Sequence, residues 1–593
     1  MKKCIAALLA ALMLAGCSAK SVPEVSIPET APAVTAAAVA ATLPMEDQTP
    51  EIPYESRYTT VTEIVLSDEG ITVDGGEETA AVFTTNDIIY YADMETYASG
   101  NPYGEGDPEE RHSAAEADAH TVVNITQPGA YRITGKLSAG QIRIDLGEDS
   151  YYTEDSVVEL ILKDADITCT VAPAVLFLNT YECDGNWSTE TAKAEIDTTA
   201  AGANLILEGS NTVTGSHVAK IYKDKEGEKK LWKQDGAIYS YMSMNVYGPG
   251  SLNLTADNEG LDTELHLTLN GGDISIYSGN DGINTNEDGV SVTTINAGKL
   301  TIFAGLDKEG DGIDSNGYLV INGGNVISAA HPAADAGLDS DLGSYINGGT
   351  VIAMGSTMDW AESESEQVTM NLQFAEAQKA GSKILITRED GTVIFSYDNN
   401  SQYGRNFSGL ILSHAAFTQG ETYNVYIDGQ QMGYTGTDVG FGPGGMGRPG
   451  GMQFPGGMPE GFDPSQFQDG QRPESFEMPE GFDPSQMGGG RRQRPEGSRE
   501  NMPRPEGMEL PEGFDPAQFQ KGEMPEGFDP SQFQKGEMPE DFDPTQFQNG
   551  QMPEGFDPSQ FGNRGNRNNA AGEAQTDFYM NDKVNAFSGV KAV

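Results

Sequence analysis

Four short segments in the middle of this chain follow one template. They read Glu259-Gly-Leu-Asp-Thr263, Asp281-Gly-Ile-Asn-Thr285, Asp311-Gly-Ile-Asp-Ser315 and Ala336-Gly-Leu-Asp-Ser340. Stacked one above another, they would make a column of Asp262, Asn284, Asp314 and Asp339, flanked by Glu259, Asp281, Asp311 and Asp335. Asp235, in Asp235-Gly-Ala-Ile-Tyr-Ser240, reads as an earlier member, with one extra residue that leaves its register open. Carboxylates held about 4.8 Å apart, the distance between neighbouring strands, repel strongly unless something neutralises them. Calcium takes roughly six to eight oxygen ligands at about 2.4 Å, so it can bridge carboxylates on adjacent levels. The pattern therefore predicts a file of Ca2+ ions along this column. The alternative is turn chemistry, for which acid-glycine pairs are well suited, with the acids facing water.

The elements that must position these residues are also repeated. Leu267-Thr-Leu-Asn270-Gly-Gly272, Thr294-Ile-Asn296-Ala-Gly298, Val320-Ile-Asn322-Gly-Gly324 and Tyr345-Ile-Asn347-Gly-Gly349 each end a short strand in an asparagine and a small turn. The asparagines are 26, 26 and 25 residues apart. A second strand follows each turn: Asp273–Ile276, Lys299–Ile302, Asn325–Ser328 and Thr350–Ala353. Self-similarity at this period, with two short strands and no helical pattern, predicts an all-β parallel β-helix, a solenoid. In such a stack the asparagines form an amide ladder.

Residues 56–360 are assigned to the β-helix, most regular at 250–355. Earlier strands are less periodic, and Lys220–Lys233 is a charged excursion read as a loop or short helix. The period breaks after residue 360. Five strand candidates within 361–436 suggest a small β module capping the last rung, since exposed stack ends need cover.

Composition sets outer bounds. Ninety acids against 35 bases give a formal net charge of −55, which argues against nucleic acid or anionic lipid as a direct partner. Lys2, Lys3 and an apolar run from Ile5 to Leu14 form a signal sequence over residues 1–16, too short to span a bilayer permanently. It ends in Leu14-Ala-Gly-Cys17, which resembles a bacterial lipobox and predicts lipidation of Cys17 and anchoring on the extracellular face of the cytoplasmic membrane. Residues 17–55, rich in Ala, Pro, Thr and Val, read as a disordered tether. Cys169 and Cys183 remain as a pair that an exported protein could bridge.

Residues 437–572 are of low complexity. Six Met/Leu-Pro-Glu-Gly/Asp-Phe-Asp-Pro units start at Met458, Met478, Leu510, Met524, Met538 and Met552. This composition cannot build a packed core. The alternative is that the Phe-Asp-Pro units contact a cell-wall or protein partner. Strand-like sequence resumes in 573–593, expected to return to the cap as its last strand.

The ordered parts resemble a carbohydrate-binding β-helix family of clostridial cell-surface proteins, related in fold to pectate lyases. Gln127-Pro-Gly-Ala-Tyr-Arg-Ile-Thr-Gly135, the Asn-Gly-Gly rungs, the acid-Gly-Ile-Asp-Ser turns and Thr422-Tyr-Asn-Val-Tyr426 carry the resemblance. It implies a right-handed parallel β-helix, bound calcium and binding of plant-type polysaccharides, including acidic pectic chains. The turn at Ala333–Gly337 departs from the acid-before-glycine pattern.

Three functions remain open on this basis. A non-catalytic, calcium-dependent polysaccharide binder would hold an acidic glycan through bridging calcium. Tyr277 and Phe303, at equivalent strand ends, with Tyr318 and Trp360 nearby, could stack on sugar rings, although packing is the competing role for each. A polysaccharide lyase would need a base to remove the proton beside a uronate, and Lys308 is the candidate. An adhesin or structural surface protein would act through the repeat region.

Overall fold

The asparagine column is continuous. Asn296 Nδ2 donates to Asn270 Oδ1 at 2.9 Å, Asn322 to Asn296 at 2.9 Å and Asn347 to Asn322 at 3.0 Å. These contacts come from a computed structural model that describes residues 50–92, 110–222, 231–307, 309–333, 335–356, 359–398, 404–437 and 574–593. The signal sequence, Cys17, most of the tether, Lys308 and the repeat units lie outside the described residues.

The asparagines sit between two parallel ladders. In the first, Val158–Thr168, Ala203–Glu208, Met244–Tyr247, Leu267–Leu269, Val292–Ile295, Tyr318–Ile321 and Gly343–Ile346 pair in succession. In the second, Ser210–Gly215, Ser251–Ala256, Asp273–Ser278, Lys299–Phe303, Asn325–Ala329 and Thr350–Gly355 do the same. A third parallel ladder runs through Val175–Asn179, Gly236–Ser240, Glu259–Thr263, Ile283–Thr285, Ile313–Ser315 and Leu338–Ser340. Each chain repeat thus adds one strand to each ladder. The last glycine of the small turn, such as Gly298 at φ +91°, takes the left-handed conformation that reverses the chain between ladders.

Alternate residues of every ladder point into one core. Leu254, Ile276 and Ile302 from the second ladder meet Leu261, Ile283 and Ile313 from the third and Leu269, Ile295 and Ile321 from the first, all 1% exposed or less. Aliphatic residues at strand period two are what a half-buried strand requires. The all-β class expected from sequence is what the structure has.

The open edge of the second ladder is covered. Phe407–Ser413 runs antiparallel to Thr350–Gly355 and also pairs with Thr369–Gln378, which takes Val584–Ala592 as a parallel neighbour. Lys383–Arg388, Val393–Asp398 and Thr422–Ile427 form the adjoining antiparallel strands around a second core, which includes Phe395, Tyr423 and Phe578.

Three expectations need correction. The excursion at Lys220–Lys233 is neither a loop nor a helix at its ends. Val218–Tyr222 and Leu231–Gln234 pair antiparallel. The tether is already seated at Ile52, whose amide donates to Asn270 O at 2.9 Å, and Tyr54 packs on Tyr247 with ring centroids 4.7 Å apart. Cys169 and Cys183 are both free thiols. The Cys169 amide bonds Thr214 O beside the second ladder, whereas the neighbour of Cys183, Glu182, bonds Ser243 ahead of the first. The strand Val175–Asn179 runs between them, and its five residues span about 13 Å, beyond disulfide reach.

Candidate metal centre

The acidic template belongs to the third ladder, where the pairing register aligns Asp262 with Asn284, Asn284 with Asp314 and Asp314 with Asp339. The glycine of the template is required by close approach. A Cβ on Gly282 would lie 2.2 Å from Ile302 Cγ2 and 2.6 Å from Gly312 O. That crowding presses one level against the next and brings the acids with it. Glu259, Asp281 and Asp311 stand two places before the paired aliphatic residues, and on the fourth level that place belongs to Ala336. Asp335 is therefore offset by one residue from the expected flank. Its Oδ2 accepts from the Gly310 amide at 3.1 Å.

Register also settles Asp235. Gly236 pairs with Glu259 and Tyr239 with Asp262, so Asp235 precedes the ladder and Tyr239 ends the acid column. Carboxylate oxygens of Asp235, Glu259 and Asp262 nevertheless lie within 4.8 Å of one another, all three residues buried. Lys233 pairs with Asp235. Asn286 Nδ2 donates to Asp262 Oδ1 at 2.7 Å. Glu259 Oε2, Asp262 Oδ2, Gln234 Oε1 and both amide atoms of Asn284 are buried with no hydrogen-bond partner. Buried polar atoms in native proteins are nearly always paired, so this concentration of orphans marks a place built for something else.

Burial, and after it the neighbouring carboxylates, holds Asp262, Asp281 and Asp311 well above the usual carboxylate range. Burial also raises Asp235, against the pull of Lys233. Along the stack the column opens to solvent: Asp262 and Asn284 are fully buried, while Asp311, Asp314, Asp335 and Asp339 are half-buried. A cation at the buried end would find carboxylate and amide oxygens already gathered, the hard donors that calcium or magnesium takes and that soft metals do not. The residues present fit such an ion.

Sequence reasoning missed Asp359, which lies outside the repeat. Burial, then the nearby Asp339 carboxylate, pushes it up to about 8, and it accepts from the Ser340 amide at 3.1 Å. It also missed Gln234, whose position in an irregular segment carries no periodic signal.

The aromatic residues do not gather into one platform. Tyr277 stacks on Phe303 with centroids 5.8 Å apart, and both pack against the second core. Phe303 is only 4% exposed and offers no face to a sugar, which corrects its expected role. The cap lying over that edge of the ladder is the reason. Trp360 is half-buried against the main core, and Tyr318 lies 6.2 Å from Tyr345. Among the described residues the large aromatics most open to solvent are Tyr152, 83% exposed, Tyr579, 49% exposed, and Trp187, 39% exposed, whose Nε1 donates to the Tyr151 hydroxyl at 2.9 Å.

An all-β chain of parallel ladders with one acidic edge is the architecture on which comparison with known proteins bears. A family model described as carbohydrate-binding domain-containing protein matches residues 119–403. The resemblance to a clostridial carbohydrate-binding family read from the sequence is borne out over that span. A carbohydrate-binding domain-containing protein of Acetivibrio thermocellus is 28% identical over 155 residues, 26% of this chain and 44% of that protein, so the match spans less than half of the relative. A solved structure of a polysaccharide lyase-like protein from C. thermocellum, a gadolinium derivative, aligns at 18% identity over 49% of this chain and 93% of its own, with a TM-score of 0.29.

Proposed function

We propose that this chain is a non-catalytic polysaccharide-binding protein of the bacterial surface, built on a right-handed parallel β-helix that calcium holds at its acidic corner. The observation that carries the reading is the buried group of Asp235, Glu259, Asp262 and Asn284, with oxygen atoms left unpartnered. Three parallel ladders sharing one core support the β-helix. The family match over 119–403 supports carbohydrate as the ligand. Oxygen donors in number, several of them anionic, suit calcium better than magnesium, which keeps most of its waters. At the solvent-facing end of the column, Asp311, Asp314, Asp335 and Asp339 would share calcium with the carboxylates of an acidic pectic chain. Leu14-Ala-Gly-Cys17 would tie the protein to the membrane by lipid.

Affinity electrophoresis of the full chain in polygalacturonate, with calcium and with a chelator, tests this. Retardation only with calcium, and no rise in ultraviolet absorbance from unsaturated uronate, is the expected result. Product formation would make the protein a lyase. Absence of retardation in polygalacturonate and in neutral plant glycans alike would end the carbohydrate reading.

A further inference from the structure

A second polar column borders a cleft to which no role has been given. On the outer face of the first ladder, Thr268 pairs with Thr294 and Thr294 with Val320, making a floor that crosses successive strands. The asparagine ladder runs beside it from Asn270 to Asn347. Residues 194–199, from the connection ahead of Ala203–Glu208, fold over this face. Thr198 fixes them there: its Oγ1 lies 2.7 Å from Asn245 Oδ1 and 2.8 Å from Thr268 Oγ1, and Asn245 Nδ2 donates to Thr198 O at 2.7 Å. The cleft, about 530 Å³ and partly open to solvent, is lined from Tyr247 to Asn347, four rungs further on, with Ile52 near its start.

We propose that this cleft is a glycan site for an uncharged, extended polysaccharide lying along the stack, across the strands. The inference rests on the polysaccharide-binding reading and names a different surface and a different ligand class from the acidic corner. Its first support is spacing. Amides and hydroxyls recur at the inter-strand distance of about 4.8 Å, a length close to the advance of one sugar unit in an extended chain. Its second is chemistry. Asparagine amides and threonine hydroxyls both donate and accept, as sugar hydroxyls do.

Charge supplies the third support. The acidic side chains lining the cleft are those of Glu195 and Asp197, and its lining includes no lysine or arginine. A uronate chain would meet its own sign there, whereas a neutral chain would not. The fourth is the protein's own precedent. Residues 52–57 lie along the preceding rungs of the same face, bonding Asn270 O through Ile52, packing Tyr54 at a tilt against Tyr247 and bonding Glu159 Oε1 through the Arg57 amide at 2.8 Å. An extended strand laid across the ladder is what this face already holds up to the point where the cleft begins.

The test is affinity electrophoresis of the full chain with calcium present, in hydroxyethylcellulose, galactomannan and polygalacturonate. Three proteins are compared: the unaltered chain, Thr294→Trp to fill the floor, and Thr255→Trp at an exposed position on the second ladder. Melting curves confirm that each is folded. At least one neutral polymer should retard the unaltered chain and Thr255→Trp alike, with affinity falling about tenfold or more in Thr294→Trp. Polygalacturonate retardation should be the same in all three. Equal retardation of Thr294→Trp in the neutral polymer would overturn the site. Retardation by polygalacturonate alone would overturn the ligand class and leave the calcium-bridged reading standing, and no retardation in any polymer would remove both.

Discussion

Two corners of the stack carry columns of polar side chains at the same rung spacing, and they solve the problem of stacking in opposite ways. At the asparagine corner each amide donates to the one before it, so the column satisfies itself. At the acidic corner Asp262, Glu259 and Asn284 keep atoms without partners although they are more deeply buried. Amides are both donor and acceptor and can form a chain, whereas carboxylates only accept. An asparagine ladder is complete in the apoprotein, and an acidic ladder needs a cation from outside.

Removing the proposed cation should give the largest effect. Calcium at about a thousand times its Kd adds about 4 kcal/mol to the folded state, so a chelator should lower the melting temperature steeply, and magnesium should restore it poorly. A melting temperature indifferent to chelator would erase the contrast between the corners. The next effect is a change of sign. Asp262→Asn should cost about 3 kcal/mol in calcium, where a charged ligand is lost. In chelator the same substitution should be neutral or stabilising, because a buried charge has been removed. Denaturant melts of both proteins under both conditions would read this directly.

Asn296→Ala should act the same with or without calcium. It leaves Asn270 Oδ1 and Asn322 Nδ2 without their ladder partners, at a cost of about 1–2 kcal/mol. A calcium-dependent cost would mean that the two corners are coupled. A pH-dependent effect concerns the approach to the acidic corner, where the protein supplies its own cation. Burial lowers the His217 imidazole pKa, but its hydrogen bond to Asp257 at 3.0 Å and the Glu110 carboxylate 3.9 Å away outweigh it and raise it to about 10. The folded value lies above the unfolded value of about 6.5. Its contribution is therefore present in full below that pH and is lost as the pH rises through about 10. A melting-temperature series over this range should show a decline that His217→Gln flattens.

The sequence carried the register of the acid column because each copy repeats the same glycine, and that glycine is fixed by contact between rungs. Asp262, Asn284, Asp314 and Asp339 could therefore be aligned by eye. The template failed where lengths change. Around residues 330–337 the acid slips to Asp335 and Ala336 takes its place, and before the first regular rung the extra residue puts Tyr239, not Asp235, level with Asp262. Phe303 was misjudged for a different reason. Period two tells which side chains leave the interior of a ladder, but not that a cap formed by residues far along the chain will cover that face. The seating of residues 52–57 and the overhang at 194–199 were equally invisible, since each is an irregular segment held by individual hydrogen bonds. One end and the overhang of the proposed glycan cleft thus come from the parts of the chain with no period.

The way the chain leaves and re-enters the cap has a consequence for how this protein can vary. Tyr434 and Gln575 exchange both backbone hydrogen bonds, at 2.8 and 2.9 Å, so the chain departs and returns at adjacent points. Whatever lies between them closes a loop whose ends the fold has already joined. Doubling the length of such a loop costs only about 0.6 kcal/mol. Units between these points can therefore be duplicated or deleted without re-engineering the cap, and a proteolytic nick there would leave Val584–Ala592 in its sheet, the two fragments travelling as one particle until denatured.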